Sequence, residues 1–184
     1  MPKADGNQLI DDLAAGRAGA FAALYDRFGG ALFRVALAML GSRPDAEDAV
    51  QDVFVSLVRA RQRLADVDNL RAYLFASLRH AALKLSAARK GIPPSLQARG
   101  EAYRDCLDLD SIPTPVSGSI EIDRSVRLEQ ALRQLPPEQR ELVALKVDGG
   151  LTFLEIASLL GISANTAAGR YRYALEKLRA AFQE

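Results

Sequence analysis

The sequence predicts an all-α protein made of two helical domains joined by a flexible linker. Three observations carry this. On both flanks apolar residues recur near i, i+3, i+4 and i+7, the spacing of one face of an α-helix. No stretch alternates apolar and polar residues as a half-buried strand would, and no repeat is present. Between the flanks, Gly91, Pro93, Pro94, Gly100, Pro113, Pro115 and Gly118 interrupt every helical period. Proline removes an amide donor and biases its predecessor away from helix. The expected division is 8–90, 91–124 and 125–184, with one short helix near Leu96–Cys106 inside the linker. Charge follows the same division. Residues 1–90 hold 13 basic and 10 acidic side chains, 91–124 hold 3 and 6, and 125–184 hold 8 and 7.

The elements follow in order. Leu9–Ala14 reads as a short helix. Gly19–Leu40 carries Phe21, Leu24, Tyr25, Phe28, Leu32, Val35, Ala36 and Met39, and Gly41 stops it. Ser42 is placed to cap the next helix, with Pro44 in its first turn. That helix is expected to bury Ala46, Ala49, Val50, Val53, Phe54, Leu57 and Val58. A fourth, about Asn69–Lys90, is expected to bury Leu70, Leu74, Ser77, Leu78 and Ala81. Beyond the linker, Ser125–Gln134 is closed by Pro136 and Pro137, and Pro137–Val147 by Gly149 and Gly150.

Two sharper helices come last. Thr152-Phe-Leu-Glu155 has capping-box spacing. Ile156, Ala157, Leu159 and Leu160 give that helix its buried face, and Gly161 tolerates the positive φ of a helix stop. Ser163 can cap the final helix, with Thr166 three residues on. Its inward residues are Tyr171, Ala174, Leu175 and Leu178. Helix, glycine turn and second helix make the layout of a DNA-reading helix-turn-helix. The candidate contacts are Ser163, Asn165, Thr166, Arg170, Arg172 and Lys177. Arg170 and Arg172 diverge by roughly 200° on an ideal helix. Arg170, one turn from Thr166, is the expected base reader; Arg172 is expected to meet a phosphate or a protein partner. A plain αα-hairpin is the alternative.

Two helices of the first flank carry further candidates. Asp45, Asp48, Gln51 and Asp52 lie within two turns. A dipole-stabilised helix start explains Asp45 and Glu47, and explains Gln51 and Asp52 less well. Arg71, Tyr73, Arg79, His80, Lys84, Arg89 and Lys90 combine cations with an aromatic ring, which suits single-stranded DNA, where bases stack and phosphates pair. An ordinary basic helix with Tyr73 in the core remains open.

Several function classes drop out. Cys106 and His80 are the only residues of their kinds, which excludes an internal disulfide and argues against a metal centre or a Ser-His-Asp triad. No cofactor is expected, and no phosphate-cradling G-x-x-x-x-G-K-[ST] motif is present. No apolar run approaches the roughly 20 residues of a membrane span, and MPKADGNQLI has no apolar signal-peptide core. The expectation is a cytoplasmic protein without membrane insertion, and not an enzyme.

Taken in order, the acidic helix, the basic aromatic helix, the acidic linker and the helix-turn-helix resemble the extracytoplasmic-function (ECF) branch of the sigma-70 family. FAALYDRFGGALFRVALAMLGSRPDAEDAVQDVFVSL resembles its sigma-two domain, and LRQLPPEQRELVALKVDGGLTFLEIASLLGISANTAAGRYRYALEKLR its sigma-four domain. The resemblance implies a transcription initiation factor that binds core RNA polymerase and promoter DNA. Asp48, Gln51 and Asp52, beside Asp45, match the motif that docks on the polymerase's largest subunit. Tyr73, Arg79, His80 and Lys84 fall in the helix that recognises and melts the minus-ten element. The helix-turn-helix would read the minus-thirty-five element, while outer helices of that domain hold the polymerase flap. An anti-sigma factor is a further partner the family admits. The chain departs from the family where Tyr73 replaces a frequent Trp, His80 a frequent Asn, and Ala168 and Gly169 a usual Lys and Ser. Gly169 costs the helix roughly 1 kcal/mol relative to Ala. The runner-up is a helical adaptor whose helix-turn-helix docks partners without initiating transcription, and after it a one-component repressor.

Overall fold

The computed structural model describes residues 3–90 and 121–181. Among these, every regular element is helical: α1 (Lys3–Ala14), α2 (Ala18–Leu40), α3 (Arg43–Arg59), a 3₁₀ turn (Arg61–Asp66), α4 (Leu70–Arg89), α5 (Glu121–Gln134), α6 (Pro137–Val147), α7 (Phe153–Leu160) and α8 (Ala164–Ala181). Most of the expected linker, with the short helix placed near Leu96–Cys106, lies outside the described residues. Helix α5 begins four residues before the expected Ser125, and α1 begins six residues before the expected Leu9.

Helices α2, α3 and α4 pack on one another, with α1 against the 3₁₀ turn. Their core is Leu24, Leu32, Val35, Met39, Val53, Leu57, Leu74 and Leu78. Gly41 ends α2 with φ +67°, its N–H donating to Leu37 O, a conformation glycine adopts without a Cβ clash. Asn69 starts α4 by accepting the Ala72 N–H at 3.0 Å. Ser42 occupies the cap position of α3, but its hydroxyl makes no capping bond, contrary to expectation. Val58 is also placed differently: it is 47% exposed. The buried line of α3 runs Ala46, Ala49, Val50, Val53, Leu57, and Val58 lies about 100° beyond Leu57, past the edge of that face. Tyr25 projects outward and rests its ring on Phe54, centroids 5.3 Å apart. In α4, Ser77 is half-buried and Phe75 fills the core instead.

The second helical group is tied to the first by more than the linker. Helix α6 packs along α2, and α7 touches α4. Leu142, Leu145, Leu151, Ile156 and Ala167 belong to the same continuous core as Leu32 and Phe75. A smaller core of Ala131, Leu135, Val143, Ala174 and Leu178 joins α5, α6 and α8.

Phe75 is 1% exposed. Phe75→Ala leaves a cavity that close-packed neighbours fill only in part, and we expect it to cost about 3–5 kcal/mol. Chemical denaturation of the full chain measures this; a loss near zero would remove Phe75 from the core.

Candidate nucleic-acid and polymerase interface

The helix-turn-helix is built by local chemistry. Thr152 Oγ1 accepts the Glu155 N–H at 3.2 Å while Glu155 Oε2 accepts the Thr152 N–H at 2.6 Å, a reciprocal capping box. Gly161 stops α7 at φ +67°, donating to Ala157 O. Ser163 Oγ accepts the Thr166 N–H at 3.0 Å and shares a 2.8 Å hydrogen bond with the Thr166 hydroxyl. Phe153 meets Tyr171 edge-on at 5.5 Å, which fixes the crossing of the two helices.

The outward face of α8 differs from the expectation in one respect. Arg170 turns back onto α6, where its guanidinium lies 3.0 Å from Glu138, and it does not share the open face of Thr166. Exposed Asn165, Thr166, Arg172, Tyr173 and Glu176 surround half-buried Gly169. At 3.6 residues per turn these six form one stripe, and Arg172 lies on it. Tyr173, 66% exposed, is a candidate the sequence reasoning missed; its aromatic character reads as core in a periodic pattern. A Cβ on Gly169 would meet nothing within 4 Å, so the glycine answers no packing demand. Lys177 is exposed beside this stripe.

On α3, Asp48, Gln51 and Asp52 are exposed and stand together. Asp45 is not with them. It is buried, and its carboxylate lies 2.6 Å from Arg89 at the end of α4. The pair joins the start of one helix to the end of another and ties both side chains to the fold. Exposed Val55 and Val58 extend the acidic stripe by two turns. The valines following the acids at helical spacing are the signal, although the same periodicity predicts Val58 to be core.

Helix α4 divides its candidates. Half-buried Tyr73 and exposed His80 and Lys84 follow one another along a single face, and Lys90 is exposed just past the helix end. Arg71 and Arg79 leave in another direction and meet the second helical group. Arg79 Nε donates to Glu141 Oε1 at 2.8 Å, with the Glu141 side chain 2% and the Arg79 side chain 21% exposed. Arg71 donates to Gly149 O at 3.1 Å. A side chain on Gly150, at φ +62°, would strike the Arg71 guanidinium at 2.3 Å. Two further contacts complete this seam: Asn69 Nδ2 to Glu155 Oε1 at 2.5 Å, and Arg34 to Asp148 at 2.5 Å. Asn69, Glu141 and Asp148 were not singled out from the sequence. Glu141, an acid opening the apolar run Leu142–Leu145, is the one whose position signals a buried partner. Beside the seam an apolar groove of about 480 Å³ runs between α2 and the outer helices of the second group, lined by Leu37, Leu132, Val143, Val147, Leu175 and Leu178. Among the described residues no cluster of His, Cys, Asp and Glu could hold a metal, and no helix is long and apolar enough to cross a membrane.

A capped helix-turn-helix with a polar reading face, set beside an acidic helix and a basic aromatic one, defines a helical DNA-reading protein with a protein-docking surface. The comparisons give the family. Residues 24–91 match Sigma-70 region 2, and residues 125–178 match Sigma-70, region 4. The ECF RNA polymerase sigma factor ShbA of Streptomyces griseus is 30% identical over 140 residues, 76% of this chain and 72% of that protein. The ECF RNA polymerase sigma factor SigL of Mycobacterium tuberculosis is 29% identical over 178 residues, 95% of this chain and 96% of that protein. Among solved structures, CnrH in complex with the cytosolic domain of CnrY superposes with a TM-score of 0.59 at 26% identity, covering 96% of each chain. This chain belongs to the ECF branch of the sigma-70 family of RNA polymerase sigma factors. It is a transcription initiation factor, and its partners are core RNA polymerase and promoter DNA.

Glu155 supplies a pH test. Burial pushes its carboxyl up, but the Thr152 amide and hydroxyl, the Asn69 amide and the Arg71 charge outweigh this, and its pKa falls below the ordinary 4.5. A lowered carboxyl contributes stability that is complete above the ordinary value and is lost as pH drops through the lowered one. The melting-temperature gap between the native chain and Glu155→Gln should therefore be present at neutral pH and close in acid below 4.5. A gap that stays constant across that range would contradict this account of the capping box.

Proposed function

We propose that residues 8–90 bind core polymerase and the minus-ten element, that 91–124 form a linker, and that 125–184 read the minus-thirty-five element. One observation carries the assignment: a single chain presents an exposed acidic stripe on one helix, Tyr73, His80 and Lys84 along the next, and an exposed Asn165–Thr166–Arg172 face on a capped recognition helix. Asp48, Gln51 and Asp52 address a basic surface of the polymerase, with Val55 and Val58 adding apolar contact. Tyr73 stacks on an unpaired base and Lys84 meets phosphate. In the upstream unit the amides at the start of α8 take a phosphate, and Arg172 reaches a base edge.

On this reading the chain is not an enzyme. It works in the cytoplasm with the polymerase, and its chemistry is recognition and positioning. An anti-sigma factor is a further proposed partner, supported by the structural neighbour CnrH, which is seen bound to the cytosolic domain of CnrY.

Run-off transcription with purified core polymerase on a genomic fragment library tests the whole assignment. Specific transcripts that depend on this chain are expected; binding to polymerase without transcripts would favour a docking adaptor. Within that assay, the Asp48→Lys and Asp52→Lys double variant should weaken core binding by charge reversal, and unchanged affinity would reduce these acids to helix-start charges. Arg172→Ala should lower the ratio of matched to scrambled upstream-element affinity, by about 1–3 kcal/mol for one base contact. Arg170→Ala should leave that ratio alone and loosen the α6–α8 packing through Glu138. A ratio that follows Arg170 would reverse the two roles.

A further inference from the structure

We propose that Gly169 is a specificity-determining position of α8: the gap it leaves on the reading face receives the C5-methyl of a thymine, so that the chain selects a T·A pair there. The inference rests on the reading above, in which α8 enters the major groove of the upstream element. Three observations carry it.

The first is position. At 3.6 residues per turn, Asn165 and Arg172 lie about 40° and about 60° to one side of Gly169, and Thr166 and Tyr173 about 60° and about 40° to the other. All four are exposed. Gly169 is therefore the midline of the stripe, where a helix laid in a groove comes nearest to the base edges. It presents no side chain there, and its amide is spent on the hydrogen bonding of α8. A helix with its side chains is about 10–12 Å across, and the major groove is about 12 Å wide. A glycine at the midline lets the backbone approach the bases closely.

The second is that the fold does not ask for this glycine. A helix interior favours alanine over glycine. A Cβ at 169 would meet nothing within 4 Å. Gly169 also lacks the positive φ of Gly16, Gly41, Gly150 and Gly161. Neither conformation nor packing accounts for it, and what it provides is the open space outside the helix.

The third is the chemistry of the rim. The Thr166 hydroxyl is held by Ser163 Oγ at 2.8 Å, so its methyl is the part left for a ligand. Tyr173, 66% exposed, adds an aromatic ring on the same side. The thymine methyl is the apolar group that base pairs display in the major groove, and small apolar side chains are its partners. On the other side, Asn165 suits adenine N6 and N7, and Arg172 suits guanine O6 and N7. A phosphate fits the gap poorly, because Gly169 offers it neither charge nor a free amide.

The test uses the holoenzyme and a promoter fragment recovered by run-off transcription. Each thymine of its upstream element, on either strand, is replaced in turn by deoxyuridine, which lacks only the C5-methyl. For the native chain one replacement should weaken binding about fourfold, the loss expected for one methyl-sized apolar contact. Gly169→Leu fills the gap. It should bind the unmodified promoter about tenfold more weakly and show no uridine penalty at that position. Its melting temperature should hold or rise, because leucine is the better helix former. Should Gly169→Leu fail to fold, Gly169→Ala gives the same readouts on a smaller scale. A native holoenzyme with no preference for matched over scrambled upstream elements overturns the upstream assignment, and the gap with it. A clear preference with no uridine penalty at any position, or with a penalty that Gly169→Leu leaves in place, overturns the gap alone and keeps the assignment.

Discussion

The arrangement of the whole molecule depends on a charge taken out of water. Glu141 sits in the first turns of α6, inside the protein, and a carboxylate there is tolerated only beside a partner. Arg79 of α4 is that partner. Removing one member of such a pair leaves an uncompensated buried charge and typically costs about 3–5 kcal/mol. The pair therefore sets the register of α6 against α4, and with it the position of the helix-turn-helix that follows. Exposed Arg34–Asp148 at the rim contributes far less, because water screens it, and suits adjustment more than support. Around this ion pair the apolar contacts of Leu142, Leu145 and Ile156 with the first core provide the bulk of the attraction. An ion pair inside an apolar seam favours one docking geometry over its neighbours, and it weakens once water enters.

Much of the fold was legible because it is written in local chemistry. Gly41, Gly161 and the Thr152–Glu155 capping box mark helix ends wherever the chain is placed, and the periodic faces of α2 and α3 followed from spacing alone. Errors came where tertiary packing decides. Val58 and Phe75 lie at the margins of their faces, and only the neighbouring helix determines which side of the margin is buried. Asp45 looked like one more acid at a helix start until the end of α4 brought Arg89 to it. Arg170 and Arg172 diverge as their spacing requires, and Glu138 on a different helix selects which one turns inward. The seam residues Asn69, Glu141 and Asp148 were unreadable for the same reason: their partners lie 62 to 114 positions away.

The structure also explains how a mildly charged chain can serve DNA. Its net charge is only +1, so non-specific attraction to phosphate is weak and salt-sensitive. On the proposed assignment, recognition falls to a few placed groups: the ring of Tyr73, the cations of Lys84 and Arg172, and the amides opening α8. On that assignment the polymerase would bring two modest surfaces to one duplex and make the second contact intramolecular.

The most direct test of this account is fluorescence energy transfer in the free chain between one label on α3 and one on α8, with and without Glu141→Ala. The account predicts one short, narrowly distributed separation in the native chain and a longer, broader one in the variant, because Arg79 loses the partner that sets the docking. The same separation and width in both chains would contradict it.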